Sequence, residues 1–314
     1  MKIYLNQERP LFGLSGGAHS FLATLRRSLH KKGIKVTNNL NQSVDLYLIN
    51  ALTGGVNIDT ISKIASSGKK IVHRKVGYEV SGPPEMRAIV DGVVVGNAKQ
   101  MNFDKFVSKT IFQSKYSKGV FTNQGFFGES KTIWNGVDQS MFFPASKSGF
   151  INWKKTNKLR LVSSSWSTDA NKGFSDYEVI DALLARFPSV EMYFVGRLPT
   201  GLRFNNIIPL GVKRKRGIAK ILRSCDGYVQ MARKETCSNA LIEALSCGLP
   251  VLFNNSGASA ELVAKAGISV QNIENSFVKF LDTNKSLRAK ALDQVDKFNI
   301  DCVTEKYISA MFDE

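Results

Sequence analysis

Two glutamates eight residues apart, Glu235 and Glu243, are the side chains whose types and spacing most clearly indicate chemistry. Ser238 lies between them, and serine often caps a helix by accepting a hydrogen bond from its free amides. Those amides and the positive end of the helix dipole suit a phosphate group, and a carboxylate can accept hydrogen bonds from the hydroxyls of a ribose. The pattern could therefore hold both halves of a nucleotide diphosphate. Two glutamates at this spacing could equally be solvated surface charges.

The residues around the two glutamates predict a strand–loop–helix–strand unit. Residues 227–231 have the composition of a short buried strand, and a helix should begin near Cys237 or Ser238. Gly248 and Pro250 should end that helix before a second strand at 251–253. This arrangement places one glutamate in the loop and the other about one turn into the helix.

The rest of the chain alternates short apolar runs with helical periodicity, which predicts an α/β fold with parallel sheets. The predicted strands lie at 2–5, 34–36, 44–49, 71–74, 110–114, 159–163 and 190–195. The predicted helices include 58–68, 97–107, 177–186 and a consecutive series over 274–312, and residues 77–87 are interpreted as a loop. His73 should stand at the carboxyl end of a strand, where open α/β sheets place ligands.

The block from Glu235 to Val251, followed by Ser256 and Gly257, resembles the donor-site block of the family-four retaining glycosyltransferases, or glycosyl transferases group 1. These enzymes have the GT-B fold, which consists of two Rossmann-like domains with parallel sheets facing a central cleft. The family usually has Glu-Gly-Phe-Gly before the helix and Gly-Gly after the strand. In this chain, Thr236, Cys237 and Ser238 follow the first glutamate in place of Gly-Phe-Gly. Ala258 replaces the second glycine of the Gly-Gly pair.

The resemblance extends to Asn135-Gly136-Val137-Asp138, which in the family closes the N-terminal domain. It implies an acceptor-side domain over 1–147 and a donor domain over 148–298, joined by a polar linker at 145–158. A last helix, at about 299–314, is expected to cross back onto the first domain.

The resemblance also implies roles for particular residues. The expected catalytic group consists of Glu235, which contacts the transferred sugar, Lys172, which neutralises the leaving diphosphate, and His73, which contacts the sugar. The expected donor-binding residues are Gly16, Gly17, Glu243, Ser238, Asn239, Ala240, Leu241, Arg197, Arg233 and Lys234. The family often has an arginine where Ser167 stands, and Arg197, Arg233 or Lys234 could supply that charge.

Plainer interpretations of several of these residues stay open. The glycine loop containing Gly16 and Gly17 could be an ordinary tight turn, His73 a structural hydrogen-bonding residue, and Lys172 an ordinary loop lysine. For the reaction, the resemblance implies a nucleotide-diphosphate sugar as donor and front-face attack by an acceptor hydroxyl. The leaving phosphate would help to take the proton of that hydroxyl. Neither a metal nor a cofactor is expected.

The net charge of +17, from 43 Lys and Arg against 26 Asp and Glu, favours polyanionic partners. The run Lys213-Arg214-Lys215-Arg216 could contact membrane headgroups or nucleic acid, or could be a solvated face. The absence of Cys-x-x-Cys pairs predicts a reducing cytoplasm, and the basic charge adds a peripheral position at the inner face of the membrane as an alternative. The expected acceptor is a saccharide or a lipid-linked hydroxyl. Alternatives are glycosylation of DNA bases, or a non-catalytic protein that binds sugar nucleotides or polyanions.

Overall fold

A computed structural model describes residues 1–7, 17–50, 56–77, 84–145 and 157–313. The chain divides into two compact units, one made of Met1–Gly136 with Ile300–Glu314 and the other of Val137–Asn299. The boundary predicted at 147 and most of the linker predicted at 145–158 lie outside the described residues.

The described elements, in chain order, are β1 (Lys2–Leu5), α1 (Gly17–Lys31), β2 (Lys35–Thr37), β3 (Leu46–Asn50), α2 (Ile58–Ser66), β4 (Lys70–Arg74), α3 (Pro84–Arg87), β5 (Ile89–Val90), β6 (Val93–Val94), α4 (Val95–Met101), β7 (Lys109–Phe112), α5 (Lys115–Asn123), β8 (Ser130–Thr132), β9 (Leu159–Ser165), α6 (Phe174–Leu184), β10 (Val190–Gly196), β11 (Ile207–Gly211), α7 (Lys215–Arg223), β12 (Gly227–Gln230), α8 (Asn239–Ser246), β13 (Val251–Asn254), α9 (Ser259–Val263), β14 (Gly267–Val270), α10 (Ile273–Leu292) and α11 (Ile300–Phe312). Short 3-10 turns lie at Asp104–Phe106, Ala170–Lys172 and Val295–Phe298.

The first unit is built on a six-stranded parallel sheet in the order β2-β1-β3-β4-β7-β8. One face of this sheet packs against α1 and α11 because both helices present apolar side chains at helical spacing. Phe21 and Leu25 of α1 share a buried cluster with Val303 and Tyr307 of α11. The last helix therefore belongs to the core of the first unit, although the chain reaches it only after completing the second.

The second unit has its own six-stranded parallel sheet, in the order β11-β10-β9-β12-β13-β14. Counted from β9, this is the order 3-2-1-4-5-6 of the Rossmann fold. The direction of chain progression reverses between β9 and β12. In open α/β sheets, ligands bind outside the carboxyl ends of the strands at this reversal. The topology therefore points to the loops that follow β9 and β12.

Several predicted boundaries are wrong. The helix predicted over 97–107 is α4, which ends at Met101, followed by a separate 3-10 turn. The helix predicted over 177–186 begins already at Phe174. In the segment interpreted as a loop, residues 78–83 lie outside the described residues, and Pro84–Arg87 form α3. None of the helices in the described ranges is both long and apolar enough to cross a bilayer.

Candidate active site

An ion pair joins the loops that follow the two strands at the reversal. Lys172 ends the 3-10 turn after β9, and Glu235 lies in the loop after β12. The ammonium group of Lys172 contacts Oε1 of Glu235. About a quarter of each side chain is exposed, 27% for Lys172 and 23% for Glu235, so a ligand can reach both groups. The structure thus brings together two of the three predicted catalytic residues.

The loop that carries Lys172 is held by a side-chain cap and by a glycine. The Asp169 carboxylate accepts a hydrogen bond from the Asn171 amide at 2.9 Å. Gly173 has a φ of +77°, and a Cβ at this position would clash with the carbonyl group of Met231. Only glycine meets both demands without strain. The glycine after Lys172 therefore lets this loop lie directly against the end of β12.

The loop that carries Glu235 is fixed by the residues that follow β13. The Lys234 amide donates to Oγ of Ser256 at 2.8 Å, and the Ala258 amide donates to the carbonyl oxygen of Glu235 at 2.8 Å. Gly257 has a φ of +66°, and a Cβ there would overlap the backbone of Glu235. Ala258 has a φ of −87°, which any residue can adopt. One glycine is therefore enough for this close approach, which accounts for the alanine where the family has its second glycine.

Arg233 ties the two loops to each other. Its amide donates to the carbonyl oxygen of Asn171 at 2.7 Å, and its guanidinium nitrogen lies 2.7 and 2.9 Å from the two carboxylate oxygens of Asp176. Asp176 stands in the first turn of α6, the helix that follows the Lys172 loop. Arg233 thus already has a counter-charge, and its predicted contact with a donor stays a prediction.

Arg197 and Trp166 form a stacked pair at the carboxyl ends of β10 and β9. The guanidinium carbon of Arg197 lies 4.1 Å from the centroid of the Trp166 ring. Both side chains are exposed, so the pair presents a flat cationic and aromatic surface beside the Lys172 loop. The predicted contact between Arg197 and a donor stays a prediction.

The start of α8 lies just beyond Glu235. Ser238 has the extended backbone of a cap residue, and its hydroxyl accepts a hydrogen bond from the Leu241 amide at 3.4 Å. The predicted helix start is therefore confirmed. The Leu241 amide, predicted to bind a diphosphate, is already used by the cap. Asn239 and Ala240 occupy the first turn and are half-buried, and their predicted contact with a diphosphate stays a prediction.

Glu243 lies in the second turn of α8 with only 7% of its surface exposed. Burial raises the pKa of its carboxyl group to about 7, and the nearby charge of Lys215 opposes that effect. A carboxylate that has lost most of its water gains from any hydroxyl groups that donate to it. The position is therefore suited to a ligand with paired hydroxyls.

The remaining predicted residues lie in the first unit. His73 is completely buried against Phe103, and neither ring nitrogen has a hydrogen-bond partner. Burial lowers its pKa well below the usual value, and Lys75 adds to that effect, so the imidazole is neutral. Gly17 begins α1, whereas Gly16 lies outside the described residues. The roles predicted for these three residues stay predictions.

The fold is that of the GT-B glycosyltransferases, since solved structures of that kind match almost the whole chain. Sucrose-phosphate synthase from Thermosynechococcus elongatus matches with a TM-score of 0.77 at 14% identity, over 98% of this chain and 97% of that one. HepE (Alr3699) from Anabaena, solved in complex with UDP, matches with a TM-score of 0.73 at 18% identity, over 98% of both chains. AviGT4, a glycosyltransferase involved in avilamycin A biosynthesis, matches with a TM-score of 0.64 at 15% identity, over 98% of this chain and 96% of that one.

The family model of glycosyl transferases group 1 matches residues 172–282. This segment contains Lys172, Glu235 and Glu243, so the match falls on the residues that form the candidate site. The predicted resemblance is confirmed over this part of the chain. No curated protein matches the chain significantly in sequence. The matches to the family model and to the solved structures together support a glycosyltransferase.

Proposed function

We propose that this protein is a retaining glycosyltransferase that moves a hexose-type sugar from a nucleotide-diphosphate sugar to a hydroxyl of a saccharide or lipid-linked acceptor. The observation that carries the proposal is the position of Lys172 and Glu235 on the two loops at the strand reversal. A cation, a carboxylate and the start of α8 lie together there, and a sugar diphosphate needs all three. UDP is the first nucleotide to test, because HepE was solved with UDP.

Each group at the site has a distinct role in this proposal. The Lys172 ammonium and the amides of Asn239 and Ala240 bind the diphosphate, and Lys172 stabilises the charge that grows on it as the bond to the sugar breaks. Glu235 accepts hydrogen bonds from hydroxyls of the transferred sugar. Glu243 accepts hydrogen bonds from the ribose.

The proposed chemistry uses the donor itself as the base. The acceptor hydroxyl attacks on the face from which the diphosphate leaves, and a phosphate oxygen takes the hydroxyl proton. The glycosidic bond forms as the bond from sugar to phosphate breaks, so the configuration at the sugar is retained. Neither a protein nucleophile nor a metal ion is required in this scheme.

Labelled nucleotide sugars test the proposal. A thermal-shift panel of UDP and GDP sugars comes first, because a ligand that binds only the folded state raises its melting temperature. The donor that gives the largest shift is then incubated with candidate acceptors, and label is followed into product and into free sugar. Transfer, or slow hydrolysis without acceptor, supports an enzyme. Stabilisation with no turnover under any condition favours a non-catalytic binding protein.

Glu243 gives the donor affinity a specific pH dependence. Ribose hydroxyls stabilise the ionised carboxylate, so donor affinity should rise with pH through the folded pKa of about 7. If only the ionised form binds, the affinity should be about ten-fold weaker at pH 6 than at pH 8. Calorimetric titration of the donor at several pH values measures this. The charged neighbour Lys215, the buried neutral thiol of Cys247 and the buried hydroxyl of Tyr228 all remain in the variant that serves as control.

That control is Glu243→Gln, which keeps the shape of the side chain and cannot ionise. The donor phosphates titrate in both proteins, so only the difference between the two pH profiles reports on Glu243. We expect a flatter profile and, at pH 8, an affinity at least about ten-fold weaker than in the wild type, since hydrogen bonds to charged groups contribute about 1.5–3 kcal/mol. Parallel profiles with equal affinities would remove the ribose role.

A polyanionic acceptor or surface is a second possibility, favoured by the basic run before and within the first turn of α7. Lys213, Arg214 and Arg216 are exposed. Replacing all three with glutamine should weaken binding to vesicles of anionic phospholipid by about 100-fold, since each surface cation contributes about 1 kcal/mol. Flotation of vesicles at low and moderate salt measures this.

Duplex DNA serves as the second arm of the same experiment. DNA retention at moderate salt, stronger than retention by vesicles, would favour an enzyme acting on DNA bases. If the wild type and the triple variant bind vesicles equally weakly and retain DNA equally weakly, the basic run is a solvated face.

A further inference from the structure

The proposed function gives Lys172 and Glu235 two different ligand groups, yet in the structure the two side chains contact each other. Lys172 is assigned to the diphosphate and Glu235 to sugar hydroxyls. The ion pair uses Oε1 of Glu235 and one of the three N–H donors of Lys172, so it competes with both of these ligand contacts. The site therefore pairs its own carboxylate with the cation that a phosphate would contact in the proposed function.

We infer that Glu235 exchanges partners during donor binding and thereby makes the site discriminate against nucleoside diphosphates that lack the sugar. The inference rests on the proposed function and concerns the same site. The incoming diphosphate displaces the Glu235 carboxylate from Lys172. The sugar hydroxyls of an intact donor then become the new partners of that carboxylate. A nucleoside diphosphate without sugar displaces the Glu235 carboxylate from Lys172 and supplies no hydroxyl groups to donate hydrogen bonds to it.

The backbone around the pair requires the exchange to occur by rotation of side chains. The backbone on each side of the pair is closely packed, since Gly173 lies against Met231 and Gly257 lies against Glu235. The hydrogen bond from the Arg233 amide to Asn171 holds the two loops at a fixed separation. The partly exposed side chains of Lys172 and Glu235 are free of these restraints.

The pair is not needed to hold the loops together. The Arg233 backbone already bridges them, and the guanidinium of Arg233 bridges the second loop to Asp176 of α6. A partly exposed ion pair usually contributes little to stability. Loss of the Lys172–Glu235 contact should therefore leave the loops in place, so its effect should appear in ligand binding.

Electrostatics predict that removing the charge of Glu235 raises the affinity for UDP, which is an unusual direction for a substitution in a binding site. When UDP binds without sugar, the Glu235 carboxylate loses its cation and remains beside a diphosphate of the same charge. Both effects oppose UDP binding. Replacing Glu235 with glutamine removes both and should tighten UDP, whereas most substitutions in a binding site weaken its ligand. An intact nucleotide sugar gains less from the substitution, because glutamine is a poorer acceptor for sugar hydroxyls than a carboxylate.

Titration calorimetry at pH 8 and constant salt tests this with UDP and UDP-glucose, and with GDP and GDP-mannose as a second pair. In Glu235→Gln we expect UDP or GDP to bind about three- to ten-fold tighter, and the matching nucleotide sugar to bind equally or more weakly. Glu235→Ala should show the same direction for the diphosphate. Melting temperatures of both variants confirm that they fold.

The matched control is Glu274→Gln. Glu274 forms an exposed ion pair with Arg186, which follows the far end of α6. The eleven residues of α6 place that pair about 16 Å from the Lys172 loop. The same chemical substitution should therefore leave both affinities unchanged.

Three results would overturn the inference. An unchanged or weaker UDP affinity in Glu235→Gln would show that the carboxylate does not compete for Lys172. Equal tightening of UDP and UDP-glucose would show that Glu235 is only a nearby like charge. If the wild type binds no nucleotide or nucleotide sugar of either pair, the proposed function fails and the inference fails with it. If the wild type does bind a nucleotide and either of the first two results is obtained, the inference fails and the proposed function stands.

Discussion

Replacing Lys172 with methionine should lower kcat by about 10²–10³, with a much smaller loss of donor affinity. Methionine keeps the length and apolar stem of the side chain and removes the ammonium group. Charge builds up on the diphosphate mainly as the bond to the sugar breaks, so the missing cation affects the transition state more than the bound donor. Steady-state kinetics with the donor identified in the panel give kcat and KM separately.

Lys285→Met is the matched control for this experiment. Lys285 is an exposed lysine on α10, and its substitution should leave kcat unchanged. A Lys172→Met enzyme with normal turnover would contradict the assignment. A rise in KM with unchanged kcat would mean that Lys172 holds donor and transition state equally.

Replacing Arg74 with methionine should destabilise the first unit by about 3–5 kcal/mol. Arg74 is completely buried at the end of β4. Its guanidinium donates to the Tyr307 hydroxyl at 3.0 Å, to Oδ1 of Asn50 at 2.6 Å and to Oδ1 of Asn135 at 2.7 Å, and it lies 5.0 Å from the centroid of the Phe21 ring. Removing it would break these three buried hydrogen bonds.

Urea unfolding followed by circular dichroism measures this loss. Arg74→Lys should not restore stability, because a lysine ammonium cannot reproduce the planar fork of a guanidinium. Arg27→Met, at an exposed position of the adjacent α1, should change stability by less than about 0.5 kcal/mol. A loss below about 1 kcal/mol for Arg74→Met would show that the network is not needed.

The strand–loop–helix–strand unit around Glu235 and Glu243 could be predicted from sequence because its determinants are local. The Ser238 cap, the helical face of α8 and the glycine at 248 with a φ of +71° lie within one short stretch of the chain. The Asp-Gly turn at 91–92 is also local, and both residues have a positive φ in the β5–β6 hairpin. This hairpin was missed although Asp-Gly between apolar pairs is a strong turn signal.

Contacts between distant parts of the chain could not be read from the sequence. The pairing of Lys172 with Glu235, that of Asp176 with Arg233 and the stacking of Trp166 on Arg197 depend on which strands are neighbours in the sheet. Strand order follows from packing of the whole unit and leaves no short motif. Asp176 and Trp166 therefore gave no signal, although Asp176 occupies the first helical turn after Gly173.

His73 illustrates what a position at a strand end leaves open. Its position at a strand end suggested contact with a ligand, and the structure places it in the buried interior against Phe103. Sequence position identified the correct end of β4 but could not reveal how deeply that end is covered. That burial involves Phe103, which lies between α4 and the 3-10 turn after it, where the predicted helix boundary was wrong.

Hydrogen–deuterium exchange with and without saturating nucleotide sugar tests most directly whether the donor binds at the strand reversal of the second unit. We expect slower exchange in peptides covering 170–174 and 233–241, with little change in α10. Protection confined to other regions, or none at a concentration that stabilises the protein against heat, would contradict this expectation.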